Sequence, residues 1–379
     1  MSIRSKIRSN KVVRLFGRIV LKWLNFPSRL YVALIIGIQN YFLRGVFFFF
    51  SHTKINPKQS ILILRSHYRP GSKEKTEREL STEYYNLTLT LEESRLIQFD
   101  EYFYDLHYQK KLFPFGDLQL LKKCVFGKYK AIILSSFNDV GLGYPKKEVL
   151  VYISRKLGIP IFTIWWDSAG EELATKLKEY ERFTYCNVFM DKKQDALISG
   201  NKIINMGFTP QAISLFNPYN NVRDIDVAFL GSVNSYRSNR LPYIRAINEL
   251  AKSSFKCMVG GGTSDQRLTM EEYASIFRRS KIVVNFSMSV GDQHQCKGRV
   301  TEAIRSGALL LESENDETAR KFVRYRDYIP FQSPEDLHEK LKHYLSNDAE
   351  RLDITSQAYV TCQSCCTGDI FWKKILKEL

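Results

Sequence analysis

The chain predicts an α/β molecule built from two parallel-sheet domains, and three observations carry that expectation. From Lys281 to Phe286 a β-branched strand pattern passes through a polar loop, Ser287 to Gln295, to a helix start at Lys297 and then to the apolar strand Leu309 to Leu311. Strand, loop, helix, strand is the repeating unit of a parallel sheet. A second set of short apolar strands, Ile61 to Leu64, Ala131 to Ser135 and Ile159 to Trp165, lies well upstream. The 379 residues exceed one ordinary core, so two domains of about 150 residues each plus an extension are expected.

The extension comes first, as residues 1–55. No Asp or Glu occurs before Glu74, and the ten cations from Arg4 to Lys54 supply most of the formal net charge of +16. On a helical wheel Arg4, Arg8, Lys11, Arg14, Arg18 and Lys22 form one stripe, opposite Val12, Val13, Phe16, Ile19, Val20 and Trp23. That pattern suits a helix lying in the interface of an anionic membrane, with residues 1–50 as the contact. Pro27 breaks it, and the following Leu30 to Phe50 is long enough to span a bilayer but carries Gln39, Asn40 and Arg44. An Arg at mid-membrane costs about 2.5–3.5 kcal/mol, so an in-plane or re-entrant element is favoured, with a spanning helix and a buried helix as the alternatives. The apolar core begins too far from the amino terminus for a cleavable signal peptide. Because the charge is concentrated in this extension and the rest is mildly basic, no nucleic-acid partner is expected.

The first domain, 56–215, opens on the Ile61 strand and continues through a polar loop, Tyr68 to Leu80, a helix over Lys146 to Leu157, and short strands at Val188 to Asp191 and Ile203 to Met206. Its clearest run is Ile159 to Asp167, a strand closing on Trp165, Trp166 and a carboxylate. Ligands of parallel sheets sit at carboxyl ends of strands, which makes Asp167 a candidate catalytic residue; the competing reading is that it caps the next helix. Gly207 and the prolines at 210 and 218 punctuate a connector to the second domain, 216–348, and a helical tail, 349–379, is expected to pack back on the first domain. Seven cysteines, an odd number, suggest reduced thiols, and Cys362, Cys365 and Cys366 lack a second ligand pair at zinc-like spacing. No metal site is expected. The one Asp-x-Asp pair considered for a metal, Asp224 and Asp226, enters a strand.

The stretch from Lys297 to Glu314 holds the densest chemistry. Lys297 and Arg299 flank a helix start, whose unpaired N–H groups and positive dipole end favour a diphosphate. Glu302 is three residues from Arg299 and shares its helix face, placed to accept hydrogen bonds from ribose hydroxyls. The plain alternative is a solvated ion pair on a surface helix, worth a few tenths of a kcal/mol.

Three runs resemble the nucleotide-binding half of the group 1 glycosyltransferases, in the branch of the spore maturation CgeB-like proteins: Asp226 to Gly231 with Arg237 and Arg240, Glu271 to Ser287, and Lys297 to Glu302 with Gly307. The resemblance implies the GT-B fold, two Rossmann-like domains facing across a cleft. It implies a donor site in which Gly231 admits the donor, Arg240, Lys297 and Arg299 meet phosphate, Ser287 joins them, and Glu302 meets ribose. Many group 1 enzymes carry an acid eight positions before that glutamate, where this chain has His294, a second candidate catalytic residue. The implied activity is a metal-independent, hexosyltransferase-type reaction without a cofactor. A nucleotide diphosphate sugar would give its sugar to a membrane-proximal glycan or lipid-linked acceptor, on the cytoplasmic face of a membrane. A non-catalytic nucleotide-sugar or glycan binder of the same fold is the alternative.

Overall fold

A computed structural model of the chain describes residues 59–68, 80–105, 116–136, 144–166, 172–190, 200–218, 222–232, 235–260, 268–287 and 294–379. The expected membrane-associating segment, the candidate Asp167 and most of the Tyr68 to Leu80 loop lie outside them. Among the described residues no helix is long and apolar enough to cross a membrane.

Two fully parallel sheets organise the molecule. The first contains β1 (Ser60–Arg65), β2 (Gln98–Phe103), β3 (Ala131–Ser135), β4 (Ile161–Trp165), β5 (Cys186–Phe189) and β6 (Lys202–Asn205), in the order β2-β1-β3-β4-β5-β6. The second contains β7 (Ile225–Leu230), β8 (Cys257–Gly260), β9 (Ser280–Asn285), β10 (Leu309–Ser313) and β11 (Ile329–Phe331), in the order β11-β10-β9-β7-β8. In each sheet the chain places its second strand on one side of the first and its third on the other. That reversal leaves a switch point between β1 and β3 and another between β7 and β9, where parallel sheets open a crevice at their carboxyl ends.

The inner strands β1, β3, β4, β9 and β10 are largely apolar on both faces because helices cover both. In the first lobe these are α1 (Leu89–Ser94, entered through a π-helical turn at Tyr84–Thr88), α2 (Gly116–Gly127), α3 (Lys147–Arg155) and α4 (Glu172–Tyr180). In the second they are α5 (Leu241–Ala251), α6 (Met270–Arg279), α7 (Gly298–Arg305), α8 (Asp316–Ala319), α9 (Pro334–Ser346) and α10 (Asp348–Cys365). One face of β1, with Leu62 and Leu64, packs under Leu121, Leu150 and Tyr180, while the other, with Ile61 and Ile63, belongs to an apolar cluster that also holds Phe208, Phe216, Val283 and Ile304. The two lobes therefore share a core. The last helix, α11 (Gly368–Leu376), lies on α1 of the first lobe, where Trp372 Nε1 donates to Thr90 Oγ1 at 3.0 Å.

The connector follows both lobes closely. Asn86 Nδ2 donates to Pro210 O at 2.7 Å and Gln211 Oε1 at 3.1 Å, and Glu93 accepts from the backbone of Ile213 and Ser214. From the other side, Thr301 Oγ1 on α7 donates to Thr209 O at 3.2 Å. The amino end of α7 is thereby held beside first-lobe residues.

Candidate active site

Helix α7 forms where the sequence supplies an extended residue, Lys297, followed by glycine and an apolar stripe of Val300, Ala303 and Ile304 that buries completely. Burying that stripe fixes the rotation of the helix, which aims Arg299 at the second switch point. Its Nη1 donates to Leu230 O, the last residue of β7, at 2.9 Å, and its Nε donates to Asn285 Oδ1, the last residue of β9, at 2.8 Å. The guanidinium thus bridges the two strands that define the crevice. Both acceptors are neutral, and the Nη2 hydrogens are taken by no described residue. A half-buried cation held in this way keeps its charge for an incoming anion.

Gly231 makes the arrangement possible. A Cβ on it would fall 2.9 Å from Arg299 Nη1 and 2.9 Å from Phe229 Cζ, so a side chain there would displace the guanidinium. Gly298 plays the matching part on the connector side, where an added Cβ would lie 3.2 Å from Gln211 Nε2 and 3.3 Å from Glu302 Oε1. Lys297 caps the helix by position, and its Nζ donates to Gln295 Oε1.

Glu302 does not pair with Arg299. Its Oε2 accepts from the Tyr273 hydroxyl of α6 at 2.6 Å, and burial raises its carboxyl pKa, against the opposing pull of that hydrogen bond and of the Arg299 charge. Burial likewise raises the Tyr273 phenol. The solvated surface pair allowed by the sequence is therefore replaced by two separate anchors, one on the sheet and one on α6.

The remaining candidates take distinct places. Ser287 is fully buried just past β9; its N–H donates to Ser313 Oγ at 3.3 Å, and its carbonyl accepts from Gln295 N at 3.0 Å. His294 is half-buried, next to Gln295. Arg240 is 2 % exposed, stacks on Phe286 at 5.3 Å, and donates to Ser232 O at 3.1 Å and Phe286 O at 3.4 Å, which ties together the segments after β7 and β9. Asp224 and Asp226 sit at the opposite, amino end of β7. There Arg279 and Lys256 hold Asp224, and Lys281 holds Asp226 at 2.7 Å.

Three further residues complete the site: Tyr273, Asn285 and Glu312. Asn285 and Glu312 carried a readable signal, since each is a polar residue following an apolar strand run. Tyr273 carried none, being one aromatic among Ala274, Ile276 and Phe277 on an amphipathic helix.

Residues 237–376 match a family described as glycosyl transferase-like. No curated protein matches the chain. Among solved structures, a glycosyltransferase from Rickettsia africae aligns with a TM-score of 0.55 at 10% identity, covering 85% of this chain and 98% of that one. Sucrose-phosphate synthase from Thermosynechococcus elongatus aligns with 0.52 at 10% identity, covering 85% and 99%. HepE from Anabaena, crystallised with UDP and glucose, aligns with 0.51 at 12% identity, covering 85% and 100%. The span α5 to α11 is thus similar to a glycosyl transferase-like family, and the pair of parallel sheets around the cationic switch point has a GT-B-like fold.

Proposed function

We propose that the protein is a glycosyltransferase that moves a sugar from a nucleotide diphosphate sugar to an acceptor near a membrane. The placement of Arg299 carries this reading. When the bond between the sugar and the diphosphate breaks, negative charge builds on the departing oxygen. A guanidinium already fixed between β7 and β9, beside the amides opening α7, stabilises that charge without reorganising. Lys297 adds a second cation at the same helix end, and Glu302, anchored by Tyr273, stands one helical turn on as the ribose acceptor. Protein cations take the part a divalent metal plays elsewhere, and Asp224 and Asp226 are committed to ion pairs at the far end of β7. The CgeB-like branch is the subgroup the motif runs favour, and the crystallised complex of HepE with UDP and glucose supports a uridine donor as the first to try.

The acceptor side rests on the sequence. Asp167, after Trp165 and Trp166, is the base or acceptor contact in this reading, and His294 is the second catalytic candidate. The basic amphipathic residues 1–50 hold the enzyme on the cytoplasmic face of an anionic membrane. Thermal unfolding of the purified chain against a panel of nucleotide diphosphate sugars tests the donor assignment. One member, at a hundred times its Kd, should stabilise by about 2.7 kcal/mol, read as a shift of several degrees. Removing residues 1–54 should abolish co-sedimentation with anionic vesicles and leave that shift intact. Absence of any selective shift would overturn the donor assignment, and retained vesicle binding would overturn the membrane one.

A further inference from the structure

Behind Arg299 lies a second layer that the site does not require for contact with a donor. Asn285 is fully buried, with its Oδ1 on Arg299 Nε and its Nδ2 donating to Glu312 Oε2 at 2.7 Å. The chemistry of the partners fixes that orientation: a guanidinium only donates and an ionised carboxylate only accepts, so the amide must present its oxygen to one and its nitrogen to the other. Glu312 is itself fully buried, near the carboxyl end of β10, in register with Asn285 at the end of the neighbouring β9. Ser313 Oγ donates to its Oε1 at 3.3 Å, and Ser287 also hydrogen-bonds the carboxyl.

We propose that Asn285 and Glu312 are positioning residues for the diphosphate: the amide aims the guanidinium, and the buried carboxyl is its counter-charge, which takes up a proton when the anionic ligand arrives. The inference rests on the donor-site reading. Glu312 does not touch Arg299, so it offsets only part of the Arg299 charge, from behind Asn285. An incoming diphosphate supplies the negative charge instead, and the two anions repel across a short buried path, so protonation of the carboxyl removes the conflict.

The surroundings set the range in which this happens. Burial raises the Glu312 carboxyl to about 7, while Asn285, Ser287, Arg299 and Ser313 oppose that rise. The ionisable groups that sense it from other elements are Arg299 on α7, Cys296 just before α7 and Tyr328 just before β11, and burial raises both the Cys296 thiol and the Tyr328 phenol above their ordinary values. Glu302 on α7 is a second carboxyl that burial raises against the pull of Arg299, so the comparison with Glu312→Gln is what isolates Glu312.

Calorimetric titration of the full chain with inorganic pyrophosphate and with UDP, at about pH 6 and about pH 8 and in two buffers of different ionisation heat, tests the proposal. Wild type should take up a fraction of a proton beyond the ligand's own titration near neutrality. The ratio of the wild-type Kd to that of Glu312→Gln, in which the ligand's titration cancels, should rise about threefold or more from the lower pH to the higher. Asn285→Ala should weaken binding about tenfold at both pH values, with circular dichroism unchanged. A ratio independent of pH together with no proton uptake would overturn the counter-charge role. Wild-type affinity in Asn285→Ala would overturn the aiming role. If Glu312→Gln does not fold, proton uptake measured in Glu302→Gln, where Glu312 is the remaining raised carboxyl that feels Arg299, still decides. Loss of binding in Arg299→Ala is the separate control: full affinity there, or no binding by wild type, defeats the donor-site reading itself.

Discussion

Both lobes place an arginine at the mouth of their switch point, yet the two are held in opposite ways. Arg65 ends β1, is 1 % exposed, and donates from Nε to the Glu101 carboxylate of β2 at 2.6 Å and to Thr88 Oγ1 at 2.9 Å, with its guanidinium over the rings of Tyr84 and Phe103. Arg299 reaches the β7/β9 crevice, is half-buried, and holds only neutral acceptors at its first contacts. Charge alone does not mark a binding cation; the identity of its acceptors does. A guanidinium spent on a carboxylate is already neutralised and stiffens the lobe, whereas one braced by a carbonyl and an amide is fixed in place with its field available.

The largest effect that would test this contrast lies on the second lobe. Arg299→Ala should lower turnover at least tenfold, approaching the about hundredfold loss typical of removing one transition-state donor, with an unchanged circular dichroism spectrum. Parental turnover would break the comparison. On the first lobe the expected response is stability. Glu101→Gln leaves Arg65 buried with half its partner gone, which should cost about 3 kcal/mol of folding free energy in denaturant titration while turnover per folded molecule stays within about twofold. A stable but inactive Glu101→Gln would show that the first arginine also serves the reaction. The smallest effect sharpens the geometry: Gly231→Ala forces Arg299 Nη1 away from a Cβ at 2.9 Å, so the KM for donor should rise about threefold to tenfold with little change in melting temperature.

Local pattern made much of the second lobe readable. The amphipathic run Met270 to Arg279 is α6 with a Thr269/Glu272 capping box, and the β-branched run after it is β9, displaced by one residue from its expected start and end. Leu309 to Leu311 forms most of β10. On the first lobe Ala131 to Ser135 is β3 as expected, while Val188 to Asp191 is displaced toward the amino end as β5, Cys186–Phe189. Strand β2 gives no strand signal because Gln98, Asp100 and Glu101 look like solvated chain, and only its edge position in the sheet explains them.

The amino-acid sequence by itself determined the alternation of apolar strands and amphipathic helices, and with it two parallel sheets and the helix that carries Lys297, Arg299 and Glu302. Those follow from periodicity, which is a property of neighbours along the chain. Only the tertiary structure decided that Arg299 and Glu302 part company, one toward β7 and β9 and the other toward Tyr273, and that Glu312 lies buried behind Asn285. The charge a side chain presents depends on what surrounds it in space, and those partners come from strands and helices separated by as many as 69 residues.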